Sequence, residues 1–138
     1  ETQRQAVTVD IRAVFTFAGR YELSVVVMLN LLRNALKAVQ RAGKGRVRII
    51  VEGDRPTPRV LFIDTGCGIA PSQLPLIFER FYTYPASSGS GIGLALCKEI
   101  IEAWKASIRC ISRELGYTVF VLEFPKVRLA APAVTRAA

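Results

Sequence analysis

The strongest constraint on the fold is one long helical segment that carries polar residues among its apolar ones. Helical spacing covers residues 21–42 and ends at Gly43 and Gly45, where glycine favours a helix stop. Such a helix is stabilised mainly by packing an apolar face against other structure. The segment therefore predicts a second layer that covers one side of the helix.

That second layer is predicted to be a β-sheet. Weak alternation indicates one or two strands at residues 7–10 and 14–17, and β-branched or alternating runs indicate further strands at residues 46–53, 58–65, 107–112 and 117–124. Helical spacing returns at residues 73–81 and 92–104. Hairpin-like pairs of strands favour a mixed, mostly antiparallel sheet with the helices on one face. The predicted fold class is therefore an α/β (α+β) two-layer sandwich.

The length of 138 residues fits a single domain, with residues 1–125 as the folded unit and residues 126–138 as a linker or tail. The sequence begins at Glu1 without a methionine or a signal-peptide pattern, so we interpret it as a piece of a longer protein. No apolar run reaches the roughly 18 to 20 residues that span a bilayer, and the domain is expected in the cytoplasm. Three distant cysteines, at positions 67, 97 and 110, fit buried or half-buried thiols rather than a disulfide framework.

The charge balance of 19 basic against 11 acidic residues gives a net charge of +8, which suits anionic partners. Part of the excess follows the helix, where a solvated surface turn explains it. Because no nucleic-acid-binding motif accompanies the charge, nucleic acid is not an expected partner. The chain has no histidine, so imidazole general-base catalysis and histidine metal sites are excluded within it.

Three polar residues of the long helix, Asn30, Asn34 and Lys37, fall within an arc of roughly 60°. Asparagine offers a neutral oxygen to a hard cation, and lysine offers a point charge to a phosphate. Nearly opposite lies an apolar seam that is predicted to face the sheet, formed by Val25, Leu29, Leu32, Leu36 and Val39. A solvent-facing polar strip is the alternative, which is disfavoured by the apolar neighbours Leu23, Val26, Val27 and Leu31.

Two glycine-containing motifs complete the candidate site. In DTGCGI, residues 64–69, Asp64 ends a strand and can accept a hydrogen bond from an amino group, while the glycines allow close backbone approach. In GSGIGLAL, residues 89–96, a glycine-rich segment opens a helix and presents free N–H groups to an anion. Each motif alone also fits an ordinary turn or loop. Together with the helical strip they are the parts of a Mg²⁺–nucleotide pocket.

In this order the motifs resemble those of the ATP-binding catalytic domain of sensor histidine kinases, which has the Bergerat or GHKL fold shared with gyrase, Hsp90 and MutL. NLLRNALKA resembles the N box, DTGCGI the first glycine box, IFERFY the F box, and GSGIGLAL the second glycine box. The resemblance covers about residues 7–124, nearly the whole chain.

The resemblance implies roles for individual residues. Asn34 would ligate Mg²⁺ with Asn30 beside it, and Lys37 would contact the phosphates of ATP. Asp64 would accept a hydrogen bond from the adenine amino group. The other implied nucleotide contacts are Gly66, Gly68, Ile69, Gly89, Ser90, Gly91, Gly93 and Leu94. The rings of Phe78 and Phe81 would anchor the lid by packing.

The residue at position 30 bears on the type of reaction. GHKL ATPases carry a glutamate at this offset, where it activates water, and an amide cannot take that proton. Hydrolysis and serine-kinase activity are therefore disfavoured. The resemblance instead implies a module that holds MgATP for a histidine on a separate helical dimerisation and phosphoacceptor domain. It also implies a response regulator or receiver domain as partner, and it allows a membrane-bound parent receptor.

Two departures from the family pattern keep an alternative open. Ala38 stands where many members carry an aromatic residue, and Thr83 stands where many carry a cation. A degenerate nucleotide-binding interaction module without kinase activity fits these changes. If the domain is active, Arg80 is a candidate to supply charge at the γ-phosphate.

Overall fold

The computed structural model describes residues 7–83 and 93–127 of the chain. These residues contain five strands, two helices and one 3₁₀ turn. In chain order they are β1 (Val7–Ala13), α1 (Tyr21–Ala42), β2 (Val47–Glu52), β3 (Arg59–Asp64), the 3₁₀ turn (Leu74–Leu76), α2 (Gly93–Ala103), β4 (Ser107–Arg113) and β5 (Tyr117–Glu123).

The strands form one mixed sheet in the order β1-β2-β3-β5-β4. β1 and β2 are parallel, and the three other pairings are antiparallel. Parallel neighbours need a crossover connection, which α1 supplies between β1 and β2. The predicted mixed, mostly antiparallel sheet is confirmed.

The hydrophobic core lies between one face of the sheet and the two helices. α1 packs over β3, while α2 packs against α1 and β4. Across β3 and β5, Phe62 pairs with Phe120 and Val60 pairs with Leu122, and all four side chains are buried. They belong to the same cluster as the buried residues of both helices, which confirms the two-layer sandwich.

The face of α1 that is buried differs from the prediction. The fully buried positions are Val27, Leu31 and Ala35, whereas Val25 and Leu29 of the predicted seam are 37% and 46% exposed. The helix carries apolar residues on several sides, so periodicity alone did not select the correct one. Because α1 packs against α2 as well as the sheet, its buried row is displaced around the helix toward α2.

Of the one or two strands predicted near the start, the described chain has one, β1, and residues 14–17 are not part of a strand. Phe15 and Phe17 alternate because both rings join an aromatic cluster. The Phe15 ring centroid lies 5.3 Å from that of Phe124, and the Phe17 centroid lies 4.7 Å from Phe124 and 5.2 Å from Trp104. The alternation of apolar residues at this point therefore reflects the burial of two aromatic rings and not the pairing of a strand.

The predicted helix at residues 73–81 is reduced to the 3₁₀ turn at Leu74–Leu76. Pro75 stands in the first turn of this segment, where a helix tolerates proline, so the shortening arises in the residues that follow. The hydrogen bonds that follow span three residues, from Glu79 N–H to Leu76 O (3.0 Å) and from Tyr82 N–H to Glu79 O (3.3 Å). Successive tight turns, rather than a helix, carry the chain toward residue 83.

All three cysteines are free thiols, with Cys97 buried and the other two half-buried, as predicted. Within residues 7–83 and 93–127, neither helix has both the length and the apolar character that crossing a bilayer requires.

The corrected face of α1 can be tested with two leucines that are two positions apart. Leu31→Ala removes a fully buried side chain and should lower the free energy of unfolding by about 3 kcal/mol. Leu29→Ala is the matched control at a position that is 46% exposed, and its cost should stay below about 1 kcal/mol. Urea denaturation measures both, and equal losses would contradict the assigned face.

Candidate functional site

A cavity of about 250 Å³ opens between α1, the loop after β3 and the start of α2. Its volume lies just below the range for small-molecule sites, which begins at about 300 Å³. The predicted site residues that line it are Asn30, Asn34, Lys37, Asp64, Gly68, Ile69, Gly93 and Leu94. Residues from all three predicted motifs therefore meet at one place.

The α1 wall of the cavity carries the two asparagines one helical turn apart. The Asn30 side-chain NH₂ donates to the Val26 carbonyl at 2.8 Å, which fixes the orientation of the amide. Its oxygen faces the start of α2, because a Cβ built at Gly93 would lie 2.8 Å from Asn30 Oδ1. Asn34 and Lys37 continue this wall toward the C-terminal half of α1.

The loop after β3 is fastened from two sides. On one side, Cys67 N–H donates to the Ala38 carbonyl of α1 at 3.3 Å. On the other side, the hairpin of β4 and β5 holds it: Leu115 N–H donates to the Cys67 carbonyl at 2.8 Å, and Ile69 N–H donates to Ser112 Oγ at 2.8 Å. The loop thus closes one end of the cavity with little freedom to move.

Two glycines make this close fit possible. A Cβ at Gly66 would lie 2.4 Å from the Ala38 carbonyl carbon, and a Cβ at Gly68 would lie 2.1 Å from the Arg113 oxygen. Gly68 also has a φ of +65°, a conformation that favours glycine. The glycines of DTGCGI are required by backbone packing, independent of any ligand.

Asp64 is a buried carboxylic acid at the wall of the cavity, with only 3% of its surface exposed. Burial raises the pKa of the Asp64 carboxyl from its ordinary 3.8 to about 6, because water no longer stabilises the charge. The Gly66 N–H, which donates to Asp64 Oδ1 at 3.0 Å, opposes part of that rise in pKa. A carboxyl held in this way can accept a hydrogen bond from a ligand.

Several cavity residues were not among the predicted site residues, namely Arg33, Ala38, Arg41, Cys67, Ile77, Tyr82, Thr83, Thr118 and Phe120. Arg33 and Arg41 lie four positions before and after Lys37, so helical spacing was a usable signal. Thr118 had no such signal. It reaches the cavity because it pairs with Asp64 across β3 and β5.

The Tyr82 hydroxyl is a buried polar atom at the cavity without a hydrogen-bond partner. Among the described residues, only Arg55 Nε shares this condition. A buried hydroxyl without a partner costs about 1 to 3 kcal/mol, and native proteins rarely retain one without a reason. Tyr82 therefore keeps a buried hydroxyl whose hydrogen-bonding capacity no described residue uses.

Other predicted site residues lie away from the cavity or outside the described residues. Gly66 packs against α1, and Phe78 packs edge-on against Phe120 with ring centroids 6.2 Å apart. Phe81 is 72% exposed, so its predicted packing role is not seen; its φ of +65° turns the chain outward at that point. The predictions for Gly89, Ser90 and Gly91 concern residues outside the described ranges.

Arg80, the candidate for the γ-phosphate, does not line the cavity. Its Nη2 lies 2.5 Å from Glu99 Oε1, in an exposed ion pair that joins the segment before residue 83 to α2. The cationic side chains that line the cavity are those of Arg33, Lys37 and Arg41. A role for Arg80 at the phosphate remains a prediction.

The donor set suits a cation that is shared with a ligand. No group of three or more His, Cys, Asp or Glu side chains capable of holding a metal occurs within the described ranges. Mg²⁺ usually takes one or two protein oxygens and completes its shell with water and phosphate. The Asn34 amide on the cavity wall fits that mode, so Asn34 would hold Mg²⁺ and the ion would neutralise phosphate charge there.

Burial of Asp64 predicts a pH-dependent change in stability. Between pH 3.8 and about 6 the folded carboxyl keeps a proton that the unfolded one releases, so stability falls as pH rises through this window. In Asp64→Asn the side chain does not titrate, so this loss of stability is absent. The amide oxygen of the variant can still accept the hydrogen bond from the Gly66 N–H. The variant should therefore gain up to about 3 kcal/mol relative to the parent chain between pH 4 and pH 7.

Urea denaturation at both pH values measures this difference, with Asp54→Asn at an exposed position as the matched control. A stability difference between Asp64→Asn and the parent chain that is the same at pH 4 and pH 7 would contradict the raised pKa.

Known proteins are similar to this chain in sequence. The CAI-1 autoinducer sensor kinase/phosphatase CqsS of Vibrio cholerae is 32% identical over 123 residues, which cover 89% of this chain and 18% of that protein. The sensor protein SrrB of Staphylococcus aureus is 37% identical over 107 residues, which cover 72% of this chain and 18% of that protein. The chain thus spans about one fifth of the length of these relatives.

The fold is also that of a solved structure, the catalytic domain of histidine kinase ThkA in a nucleotide-free form. The TM-score is 0.76 with 26% sequence identity, covering 92% of this chain and 86% of the other. Residues 19–128, more than half of the chain, match the family described as histidine kinase-, DNA gyrase B-, and HSP90-like ATPase. The chain belongs to this family, as a histidine kinase ATPase domain of the kind found in sensor kinases.

Proposed function

We propose that this domain binds MgATP and positions its γ-phosphate for transfer to a histidine on a separate dimerisation and phosphoacceptor domain. The observation that carries the proposal is the convergence of Asn30, Asn34 and Lys37 with Asp64 and the start of α2 on one cavity. No other feature of the described chain brings amides, a cation and a buried carboxyl together.

The two ends of the cavity suit different parts of a nucleotide. Asp64 and the fastened loop after β3 form a narrow, partly apolar end with a hydrogen-bond acceptor, which suits a base with an amino group. The Asn30 and Gly93 end presents amide groups and the N-terminus of α2, where the helix dipole favours an anion. ATP would lie along α1 with its base at Asp64.

The residues supply binding and orientation rather than acid–base chemistry. Asn30 occupies the position of the water-activating glutamate, and its amide is held by the Val26 carbonyl at 2.8 Å. Phosphoryl transfer requires mainly alignment and charge neutralisation from the protein. In the transfer, the bond from phosphorus to the bridging oxygen of ADP breaks as a bond to the acceptor imidazole nitrogen forms.

A row of cations runs along the α1 wall of the proposed nucleotide site. Arg33, Lys37 and Arg41 recur every four residues along α1 and all line the cavity. Arg33 lies within one helical turn of Asn30, at the proposed phosphate end, whereas Arg41 lies near Ala38, where the loop after β3 contacts α1. The row as a whole attracts a polyanion to the cavity. We propose in addition that this module works within a parent sensor kinase that is attached to a membrane. Its partners there would be a phosphoacceptor domain and a response regulator.

Asn34→Ala tests the cation ligand. Isothermal titration with MgATP should give a Kd in the micromolar range for the parent chain, and the variant should bind at least about tenfold more weakly. Gln40→Ala is the matched control, since it removes an exposed amide from the same helix and should leave affinity unchanged. Undiminished affinity in Asn34→Ala would favour the alternative of an interaction module.

Tyr82→Phe tests the hydroxyl that lacks a partner. Removing it should leave the free domain as stable or more stable, because a buried polar atom without a hydrogen bond is lost. The affinity for MgATP should fall about five- to tenfold, since the ligand loses one hydrogen bond. Thermal denaturation and titration measure the two effects, and Tyr21→Phe at an exposed position is the control. A drop in stability without a change in affinity would contradict a ligand contact.

A transfer assay addresses the activity itself. The domain is mixed with the helical phosphoacceptor domain of its parent protein and γ-labelled ATP. Label should appear on a histidine of the partner and disappear with Asn34→Ala. MgATP binding without any transfer would identify the degenerate interaction module instead.

A further inference from the structure

The Ser112 hydroxyl lies at the centre of three hydrogen bonds beside the Asp64 end of the cavity. Ile69 N–H donates to Ser112 Oγ at 2.8 Å, Ser112 Oγ donates to the Tyr117 carbonyl at 2.8 Å, and Thr118 Oγ1 lies 2.9 Å away. Ser112 and Thr118 are directly paired across β4 and β5, as Thr118 and Asp64 are across β3 and β5. Three polar side chains thus lie in one row across the sheet.

Counting protons fixes the direction of every bond in this row. A serine hydroxyl has one proton and two lone pairs. The Ile69 N–H can only donate, so it uses one lone pair, and the Tyr117 carbonyl can only accept, so it takes the proton. The remaining lone pair of Ser112 must accept, and its donor is Thr118. No other assignment satisfies all three contacts.

The Thr118 hydroxyl is therefore left with acceptor capacity only. Thr118 lines the cavity and is 3% exposed, as is Asp64. Above its pKa of about 6, the Asp64 side chain is a carboxylate and is also only an acceptor. Two neighbouring acceptors meet the ligand at this end, and a ligand carbonyl placed there would leave buried oxygen atoms facing each other without a proton.

We propose that Ser112 is a positioning residue for base specificity: by holding the Thr118 proton, it makes the cavity select a base with an exocyclic amino group over one with a carbonyl at that place. This inference rests on the proposed binding of ATP, and it concerns the selection of the base, not the transfer. Ser112 itself acts through Thr118 and does not contact the ligand.

The test compares MgATP with inosine triphosphate, in which a carbonyl replaces the amino group. Isothermal titration of the parent chain should show a clear preference for ATP. In Ser112→Ala the Thr118 hydroxyl is free to rotate and donate, so the preference should fall about tenfold. Ser107→Ala, an exposed serine on the same strand, is the matched control and should keep the preference.

A second variant shows whether the effect passes through Thr118. Thr118→Val removes the hydroxyl and should lower the preference by itself. Adding Ser112→Ala to Thr118→Val should then change the preference no further. Ser112→Thr keeps a hydroxyl at the position and should restore it.

The outcomes separate this inference from the proposed function. A parent chain that binds neither nucleotide would refute MgATP binding itself. Equal binding of both nucleotides by the parent chain would overturn only the role in specificity. So would an equal loss of both affinities in Ser112→Ala, which would assign Ser112 to holding the loop through Ile69. If Ser112→Ala does not fold, an unchanged preference in Thr118→Val overturns the inference.

Discussion

The packing of α1 between the sheet and α2 determines where the polar groups of the cavity lie. Val27, Leu31 and Ala35 are almost fully buried, and Asn30 and Asn34 follow the same helix beside that row. A rotation of α1 that took the amides out of the cavity would expose the buried row to water, at a cost of several kcal/mol. The hydrophobic core therefore holds the amides in place, and the α1 wall of the cavity is rigid because the core is rigid.

Two groups at the cavity reduce the stability of the free domain. The buried Asp64 carboxyl loses hydration, and the Tyr82 hydroxyl has no hydrogen-bond partner. A bound ligand with an amino group would donate a hydrogen bond to Asp64 and offset part of its lost hydration. Part of the binding free energy would thus come from removing unfavourable features of the empty fold, as is common where function and stability are in conflict.

Sequence reasoning predicted the elements and the main motifs, because strands, helix stops and glycine turns depend on local chemistry. It failed where the answer depended on neighbours distant in the chain. The buried face of α1 depended on α2, so Leu29 was misplaced, and the alternation of Phe15 and Phe17 reflected a cluster with Phe124. Thr118 was missed because only the strand register brings it opposite Asp64.

The loop after β3 is hydrogen-bonded to α1 through Cys67 and to the β4–β5 hairpin through Leu115 and Ile69. These bonds affect how a ligand enters the cavity. This wall is preorganised, so a base would enter a slot whose shape exists before the encounter. The loss of conformational entropy on association would then fall mainly on the ligand. Recognition of the base would then require no conformational change of this wall, and any induced adjustment would fall on other parts of the complex.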